Sequence, residues 1–247
     1  MMAVELQKRD REILKFVYAF RVSSFAQIQG RYFKNIFRTV GSRRIRQLTE
    51  AGYLRTFVVG EGEFEYRYVR LTDKGWNEIR ELWPFEIDNP HLKSESPIHD
   101  LRLADLFSSF ERLSSFNQLM TENLLQSSSA LAEDPKFGAL AKLQADGALI
   151  LTPPNSETYV YGVELETSKK APDRYCDKLL NYYIATGLDG VLYIADKQAT
   201  LDAVARADAD VRSNRESILH FALEKDVLAS TGRINFKNVT GAEIELY

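Results

Sequence analysis

Several residue types that build common kinds of site are scarce in this 247-residue sequence. Its one cysteine, Cys176, excludes an internal disulfide and a cysteine-rich zinc module, and we assign it no role. This scarcity fits a reducing cytoplasm, which is where we expect the protein. No apolar run approaches the roughly 20 residues that span a bilayer. Residues 1–10 already carry charge, so we expect neither a membrane segment nor a signal peptide.

Charge is unevenly distributed along the chain. The whole sequence has 32 lysines and arginines against 35 aspartates and glutamates, a net charge of −3. Residues 1–83 carry 16 basic against 10 acidic side chains, a balance of +6, and residues 84–247 carry 16 against 25, a balance of −9. The length favours two domains. The positive charge of the first domain favours binding to phosphate groups. The acidic second domain does not prevent this, because salt screens charge–charge interactions over about 8–10 Å.

Three helices are predicted in the first domain. Apolar residues spaced three and four apart predict the first helix, a serine pair caps the second, and a glycine closes the third. The predicted elements are a helix at 6–20, a helix from the Ser23–Ser24 pair to Ile28, and a helix at 40–51 closed by Gly52. The third helix has its inner face at Val40, Ile45 and Leu48. Its outward residues are then Ser42, Arg43, Arg46 and Gln47.

A β-hairpin is predicted after the third helix. Two alternating runs, 53–59 and 64–71, flank a glycine-containing turn at 60–62. The tip carries three glutamates that would face a phosphate backbone and that two arginines offset only in part: Glu61, Glu63 and Glu65 against Arg67 and Arg70. We therefore expect the third helix to be the main contact and Arg67 to contribute from the hairpin. Thr72 is positioned to cap a further helix at 73–82.

This order of a basic helix, a hairpin and a second helix start resembles a winged helix-turn-helix. Residues 71–75 also resemble the hairpin-to-helix junction of many bacterial winged-helix regulators. The resemblance implies a helix in the major groove of double-stranded DNA. Arg43 and Arg46 are the leading candidates, since arginine can contact guanine with two hydrogen bonds, and Gln47 can do the same on adenine. The alternative is a solvated basic helix face.

The second domain is predicted at 98–247, after a linker at 84–97 that contains three prolines. Its expected order mixes helices and strands. The predicted elements are a helix at 99–116, a weak strand at 119–124, a loop or irregular helix at 127–142, strands at 143–151 and 159–166, a helix at 172–185, a strand at 190–195 and a helix at 200–223. We therefore expect an α+β protein whose second domain has a mixed central sheet.

Acidic residues on two adjacent predicted strands indicate a candidate site in the second domain. Asp146 lies in the first strand, and Glu164 and Glu166 lie in the second, followed by Lys169 and Lys170. The pattern resembles the PD-(D/E)xK nuclease superfamily, whose fold is that of restriction endonucleases. The resemblance implies that Asp146 and Glu164 hold Mg²⁺ or Mn²⁺ through oxygen ligands, as hard cations prefer. It also implies a metal-activated water for attack on a phosphate.

The match departs from the superfamily at one important position. Glu166 stands where a lysine is usual, and Lys169, Lys170 or Lys178 could supply the missing positive charge. Lys178 and Tyr182 lie one helical turn apart and so share a helix face. They are either substrate contacts, or a core tyrosine beside a lysine whose charged end reaches solvent. The glutamates are alternatively solvated at a sheet edge. His99 is either part of the site or a helix cap.

The whole chain resembles the plasmid replication-relaxation family, through His99, Asp146, Gly147, Glu164, Glu166, Lys178 and Tyr182. The resemblance implies a DNA-binding protein of a plasmid or integrative element, acting in replication, mobilisation or its regulation, with replication or mobilisation proteins as partners. Its nuclease-like domain is then a scaffold. The alternative is an active Mg²⁺-dependent DNA endonuclease targeted by the winged helix. Winged-helix proteins often dimerise, and the helices at 6–20 and 73–82 would supply a homodimer interface.

Overall fold

The computed structural model describes residues 4–59, 66–154 and 157–247. The chain divides into two compact units. The first comprises residues 1–104 with 127–129, and the second comprises 105–126 with 130–247. The predicted linker at 84–97 falls within the first unit, where the Asp88 carboxylate accepts a 2.7 Å hydrogen bond from the Ser129 amide. The predicted domain bounds stay a prediction.

Three helices open the first unit, close to where the apolar spacing predicts them: α1 Lys8–Ala19, α2 Phe25–Tyr32 and α3 Arg38–Glu50. The Ser24 hydroxyl accepts a 3.1 Å bond from the Gln27 amide and so caps α2. The helix then continues four residues beyond the predicted end at Ile28. Buried apolar side chains from all three helices form the core, including Ile13, Leu14, Val17, Ile28, Ile45 and Leu48.

The first unit also contains a three-stranded antiparallel sheet. Strands β2 Leu54–Val59 and β3 Tyr66–Leu71 form the predicted hairpin, and β1 Ser23–Ser24 pairs with the other side of β3. The predicted turn with Glu61, Glu63 and Glu65 lies outside the described residues. Thr72 caps α4, as predicted, because its hydroxyl accepts a 3.1 Å bond from the Gly75 amide.

Helix α4 is shorter than predicted. It covers Asp73–Asn77 and is followed by a 3₁₀ turn at Arg80–Leu82. The cause is local: the Ile79 amide bonds the carbonyl of Trp76, three residues back, instead of the carbonyl four residues back.

The second unit contains a seven-stranded mixed sheet. Its strands, in chain order, are β4 Phe116–Thr121, β5 Gly147–Leu151, β6 Tyr159–Glu166, β7 Gly190–Ala195, β8 Leu219–Leu223, β9 Ile234–Lys237 and β10 Glu243–Leu246. They follow one another across the sheet in that order. The pairs β6–β7 and β7–β8 are parallel and the others antiparallel. The expected α+β class with a mixed sheet is confirmed, and β6 is an interior strand.

Helices connect these strands: α5 Pro97–Phe110, α6 Glu122–Ser127, α7 Ser129–Glu133, α8 Gly138–Lys142, α9 Pro172–Ile184, α10 Gln198–Arg212 and α11 Glu224–Ala229. Helix α5 begins in the first unit. Within the described residues, no helix is long and apolar enough to cross a membrane.

Several predicted boundaries were wrong, and two have a backbone cause. The strand predicted at 143–151 begins only at Gly147, because Gln144 adopts a positive φ of 50° after α8. The helix predicted at 200–223 ends at Arg212, before Ser213 with a φ of 56°. Its last residues form β8 instead. The predicted helix at 99–116 ends at Phe110, and the predicted strand at 119–124 occupies Phe116–Thr121.

Candidate functional site

The three predicted acids meet at one end of the central strands. Asp146 lies one residue before β5, and Gly147 of β5 is paired with Val163 of β6. This register brings Asp146 beside Glu164, and the Asp146 Oδ2 atom accepts a 2.7 Å hydrogen bond from the Leu165 amide. Asp146 was predicted to lie within the strand. It instead belongs to the bend that enters the strand, and from there its carboxylate bonds back to β6.

Glu164 is the most enclosed member of the cluster. Its side chain is 2% exposed, which rules out a solvated sheet edge. The Lys178 ammonium donates a 2.6 Å bond to its Oε2 atom, and the Tyr182 hydroxyl donates to its Oε1 atom. Burial raises the pKa of Glu164 to about 7, although Lys178 acts in the opposite direction. The carboxyl group therefore sits near its titration point at neutral pH.

Helix α9 presents both partners of Glu164. Lys178 and Tyr182 are four residues apart and so lie on the same face. Gly162, two residues before Glu164 on β6, leaves space for the tyrosine ring. A Cβ atom at this glycine would lie 3.4 Å from Tyr182 Cε1 and 2.9 Å from Leu140 Cδ2. Burial raises the pKa of Tyr182 well above its usual value, so its hydroxyl stays protonated and donates.

Glu166 has its own cation. It is 2% exposed, and Lys170 Nζ donates a 2.7 Å bond to its Oε1 atom. The Lys170 amide also donates to the Tyr175 hydroxyl at 2.9 Å, which holds this turn against α9. Lys169, one of the three lysines predicted to supply a positive charge here, is exposed. The contact therefore comes from the adjacent lysine.

A pocket of about 510 Å³ opens beside Glu166 and Lys178. It is lined by four cationic and two acidic side chains, with neutral residues between them: Lys142, Lys170, Arg174, Lys178, Glu166, Asp177, Leu143, Gln144, Tyr175 and Asn181. The lining is therefore net positive, even though it adjoins an acidic cluster.

The second group of predicted residues lies on α3 and β3. Ile45 and Leu48 are buried, whereas Arg43 and Arg46 are exposed. Arg46 Nε is 3.8 Å from Glu50 Oε1, and both side chains are mostly in solvent. Arg67 is exposed on β3.

The remaining predicted contacts on α3 are less accessible. Ser42 and Gln47 are half-buried. Gln47 Oε1 also accepts a 3.3 Å bond from Arg44 Nη1.

Arg44 differs from the other arginines of α3. Its guanidinium forms two bonds to the fully buried Asp10 carboxylate, at 2.9 and 2.5 Å. Hydrogen bonding to Asp10 raises the pKa of Arg44, so the guanidinium stays charged. This arginine joins α3 to α1 and has a structural role. A sequence signal existed: Asp10 interrupts the apolar stripe of α1, which predicts a buried partner.

Comparison with known proteins leaves the family open. No family model matches the chain, and no curated protein matches it. Among solved structures, one titled "Structure of restriction endonuclease FokI" is similar at 12% sequence identity, with a TM-score of 0.27. The similarity covers 92% of this chain but only 45% of that one. Membership in the plasmid replication-relaxation family remains a prediction.

The acidic cluster supplies the oxygen donors that Mg²⁺ prefers, but several of those oxygens already have partners. Both Glu164 oxygens accept bonds from α9, and one Asp146 oxygen accepts a backbone amide. Among the described residues, no group of three or more Asp, Glu, His or Cys side chains is arranged to hold a metal ion. As arranged, the residues do not fit a divalent cation. Lys178 takes the position of a counter-charge to Glu164.

His99 stands in the first unit, beside Asp100. Its Nδ1 atom is 3.6 Å from Asp100 Oδ1. Asp100 also forms an ion pair with Arg21 at 3.2 Å. These contacts give His99 a local polar environment at the start of α5.

Proposed function

We propose that this chain is a DNA-binding protein of a plasmid or integrative element, acting in replication, mobilisation or its regulation. The observation that carries the proposal is the exposed arginine face of α3, with Arg43 and Arg46 outward and Ile45 and Leu48 in the core. A helix with a buried apolar face and an uncovered basic face is the element that winged helix-turn-helix proteins place in the major groove.

The surroundings of α3 support this assignment. Three helices and a hairpin follow each other in the order expected of a winged helix. Residues 31–49 contain six lysines and arginines and no acidic residue. Such a stretch attracts phosphate groups through counterion release, which makes binding strong at low salt.

The predicted contacts then divide into roles. Arg43 and Arg46 reach bases or phosphates, and Arg67 reaches a phosphate from the hairpin. Ser42 and Gln47 contribute at the edge of the helix, since both are half-buried. Arg44 is not a DNA contact in this proposal, because Asp10 holds its guanidinium.

We assign the second unit to a restriction-endonuclease-like domain that acts as a scaffold. Its acids are neutralised internally: Lys178 pairs with Glu164 at 2.6 Å, and Lys170 pairs with Glu166 at 2.7 Å. Removing the lysine from such a pair would leave an uncompensated buried charge, so the pairing is tied to the integrity of the domain.

The alternative is a divalent-metal-dependent DNA endonuclease. It is favoured by the convergence of Asp146, Glu164 and Glu166 beside a net-positive pocket suited to a phosphodiester. In that case Asp146 and Glu164 would hold Mg²⁺ or Mn²⁺, and Glu166, Lys169 and Lys178 would complete the site. Lys178 would first have to release Glu164.

The test is binding of a mixed-sequence DNA duplex measured by fluorescence anisotropy over a range of salt. Replacing Arg43 and Arg46 with Ala should weaken binding by about 2 kcal/mol or more and should make it less salt-dependent. A matched control replaces Arg206 and Arg215, two exposed arginines of the second unit. Unchanged affinity in a folded Arg43→Ala/Arg46→Ala protein would sink the assignment. Plasmid nicking with Mg²⁺, Mn²⁺ or EDTA separates the scaffold from the endonuclease.

A further inference from the structure

An apolar tip stands immediately before α3. Phe37 is 85% exposed and its neighbour Ile36 is 40% exposed. Burying a phenylalanine side chain normally stabilises a protein by about 1.5–3 kcal/mol, so this exposure forgoes a substantial contribution. Phe33, four residues earlier, is by contrast fully buried in the core beneath the Arg9 guanidinium.

The tip is held in place by hydrogen bonds. The Ile36 amide donates to the Phe33 carbonyl at 3.0 Å, and the Val40 amide donates to the Phe37 carbonyl at 2.8 Å. The Gln29 side chain on α2 donates to the carbonyls of Phe33 and Ile36, at 2.9 and 3.2 Å. The backbone on both sides of Phe37 is thereby fixed. The exposed ring therefore stands on a hydrogen-bonded turn that joins α2 to α3.

The charges around the tip select its partner. Lys34 and Arg38 flank it and are exposed, and no acidic residue occurs between positions 31 and 49. A ring whose nearest charged neighbours in sequence are cations, and which lies at the start of the helix proposed to enter a DNA groove, is complementary to a nucleic acid. Bases offer apolar surfaces to such a ring, through thymine methyl groups or at opened base steps.

We propose that Phe37, supported by Ile36, packs against the bases of the DNA duplex that α3 binds. The inference rests on the proposed DNA-binding function and adds an apolar contact to its charged ones. This contact adds affinity that does not depend on phosphate neutralisation, so salt does not screen it.

The distinguishing experiment compares Phe37→Ala with Arg43→Ala/Arg46→Ala in the full chain, on one mixed-sequence duplex. We expect Phe37→Ala to bind about tenfold more weakly, as loss of one aromatic–base contact implies, with an unchanged slope of affinity against salt. The Arg43→Ala/Arg46→Ala variant should reduce both the affinity and the steepness of its dependence on salt. Ile184→Ala, at a 65% exposed position in the second unit, is the matched apolar control and should bind like wild type.

A second variant reports the contact directly. Phe37→Trp should keep near-wild-type affinity, and DNA should quench its fluorescence beyond any change in the wild type, which has only Trp76 and Trp83. Circular dichroism checks that each variant folds.

Each remaining outcome has a meaning. Wild-type affinity in Phe37→Ala, with weakened binding in the arginine variant, overturns this inference and leaves the proposed function intact. A wild-type protein that binds no duplex overturns both. Self-association that Phe37→Ala abolishes, with DNA binding unchanged, makes the tip a contact between copies of the chain and also overturns the inference.

Discussion

Charged residues are used in opposite ways on α3 and at the end of β6. On α3, Arg43 and Arg46 are exposed, and Arg46 has only the solvent-exposed Glu50 within ion-pair distance, at 3.8 Å, among the described residues. At the end of β6, Glu164 and Glu166 are buried, and each has a lysine within 2.7 Å. A charge in water costs little to keep unpaired, whereas a buried charge must be compensated. Exposure thus separates charges that are accessible to a partner from charges that are used within the fold.

Removing the internal cation should have the largest effect. Lys178→Met leaves Glu164 buried without its counter-charge, which should lower the free energy of unfolding by about 3 kcal/mol at pH 8. At pH 5 the loss should be smaller, because Glu164 can protonate. Denaturant unfolding at both pH values measures this. Lys169→Met, at an exposed position, is the matched control and should change little. Equal stability of Lys178→Met and wild type at pH 8 would place Glu164 in a more solvated environment than the structure shows.

The pH dependence of stability should show the buried carboxyl directly. The pKa of Glu164 is raised from 4.5 to about 7 in the folded protein. Its protonated form is thus favoured by folding, so this contribution is fully present below pH 4.5 and is lost as pH rises through 7. The loss amounts to at most about 3 kcal/mol. Glu164→Gln should therefore flatten the stability profile in this window. A profile that keeps its slope in the variant would assign the titration to another group.

Within α3, the same rule separates Arg44 from its neighbours. Arg44→Ala leaves the buried Asp10 carboxylate without this counter-charge, although the Gln7 amide still donates to it, so we expect a loss of about 2 kcal/mol in unfolding free energy. Arg43→Ala should change stability by less than about 0.5 kcal/mol, as exposed substitutions usually do. Thermal or denaturant unfolding of the two variants tests this contrast. Similar losses in both would mean that Arg43 also has a structural partner.

The regular parts of the fold could be predicted because their signals are local. The alternating run at 159–166 and the apolar run at 190–195 are confirmed as strands with the predicted bounds. The positive φ angles at Gln144 and Ser213 occur at residues that do not favour them, so the shifted start of β5 and the early end of α10 left no sequence signal.

The partners within the acidic cluster were harder to predict than its members. Asp146, Glu164 and Glu166 stand out as acids in an apolar setting. Which lysine reaches which acid depends on the packing of α9 and on the turn after β6. Lys169 and Lys170 are neighbouring lysines that the sequence does not distinguish. In the fold, Lys170 bonds Glu166, whereas Lys169 is exposed. The exposure of Phe37 also has no signal in the sequence, because phenylalanine is among the residues most often found buried.

Divalent metal ions should have the smallest effect on stability. Their effect tests whether Lys178 is the counter-charge of Glu164. If Lys178 is the permanent counter-charge, Mg²⁺ or Mn²⁺ should leave the melting temperature of the wild type unchanged at pH 7. Lys178→Gln frees one Glu164 oxygen and removes a competing positive charge. A divalent ion at about ten times its dissociation constant should then stabilise the variant by about 1.4 kcal/mol, or a few degrees. Adding Asp146→Asn should abolish the shift, because it replaces a carboxylate with a neutral amide.

A metal-dependent shift already present in the wild type and lost in Asp146→Asn would contradict the lysine-neutralised arrangement. Nicking of plasmid DNA with the same dependence would then favour the endonuclease. Lys169→Gln provides the control for a general change in charge, since it removes a nearby lysine without touching Glu164. Whether Glu164 pairs with Lys178 or with a divalent metal ion thus separates the scaffold proposal from the endonuclease proposal for the second unit.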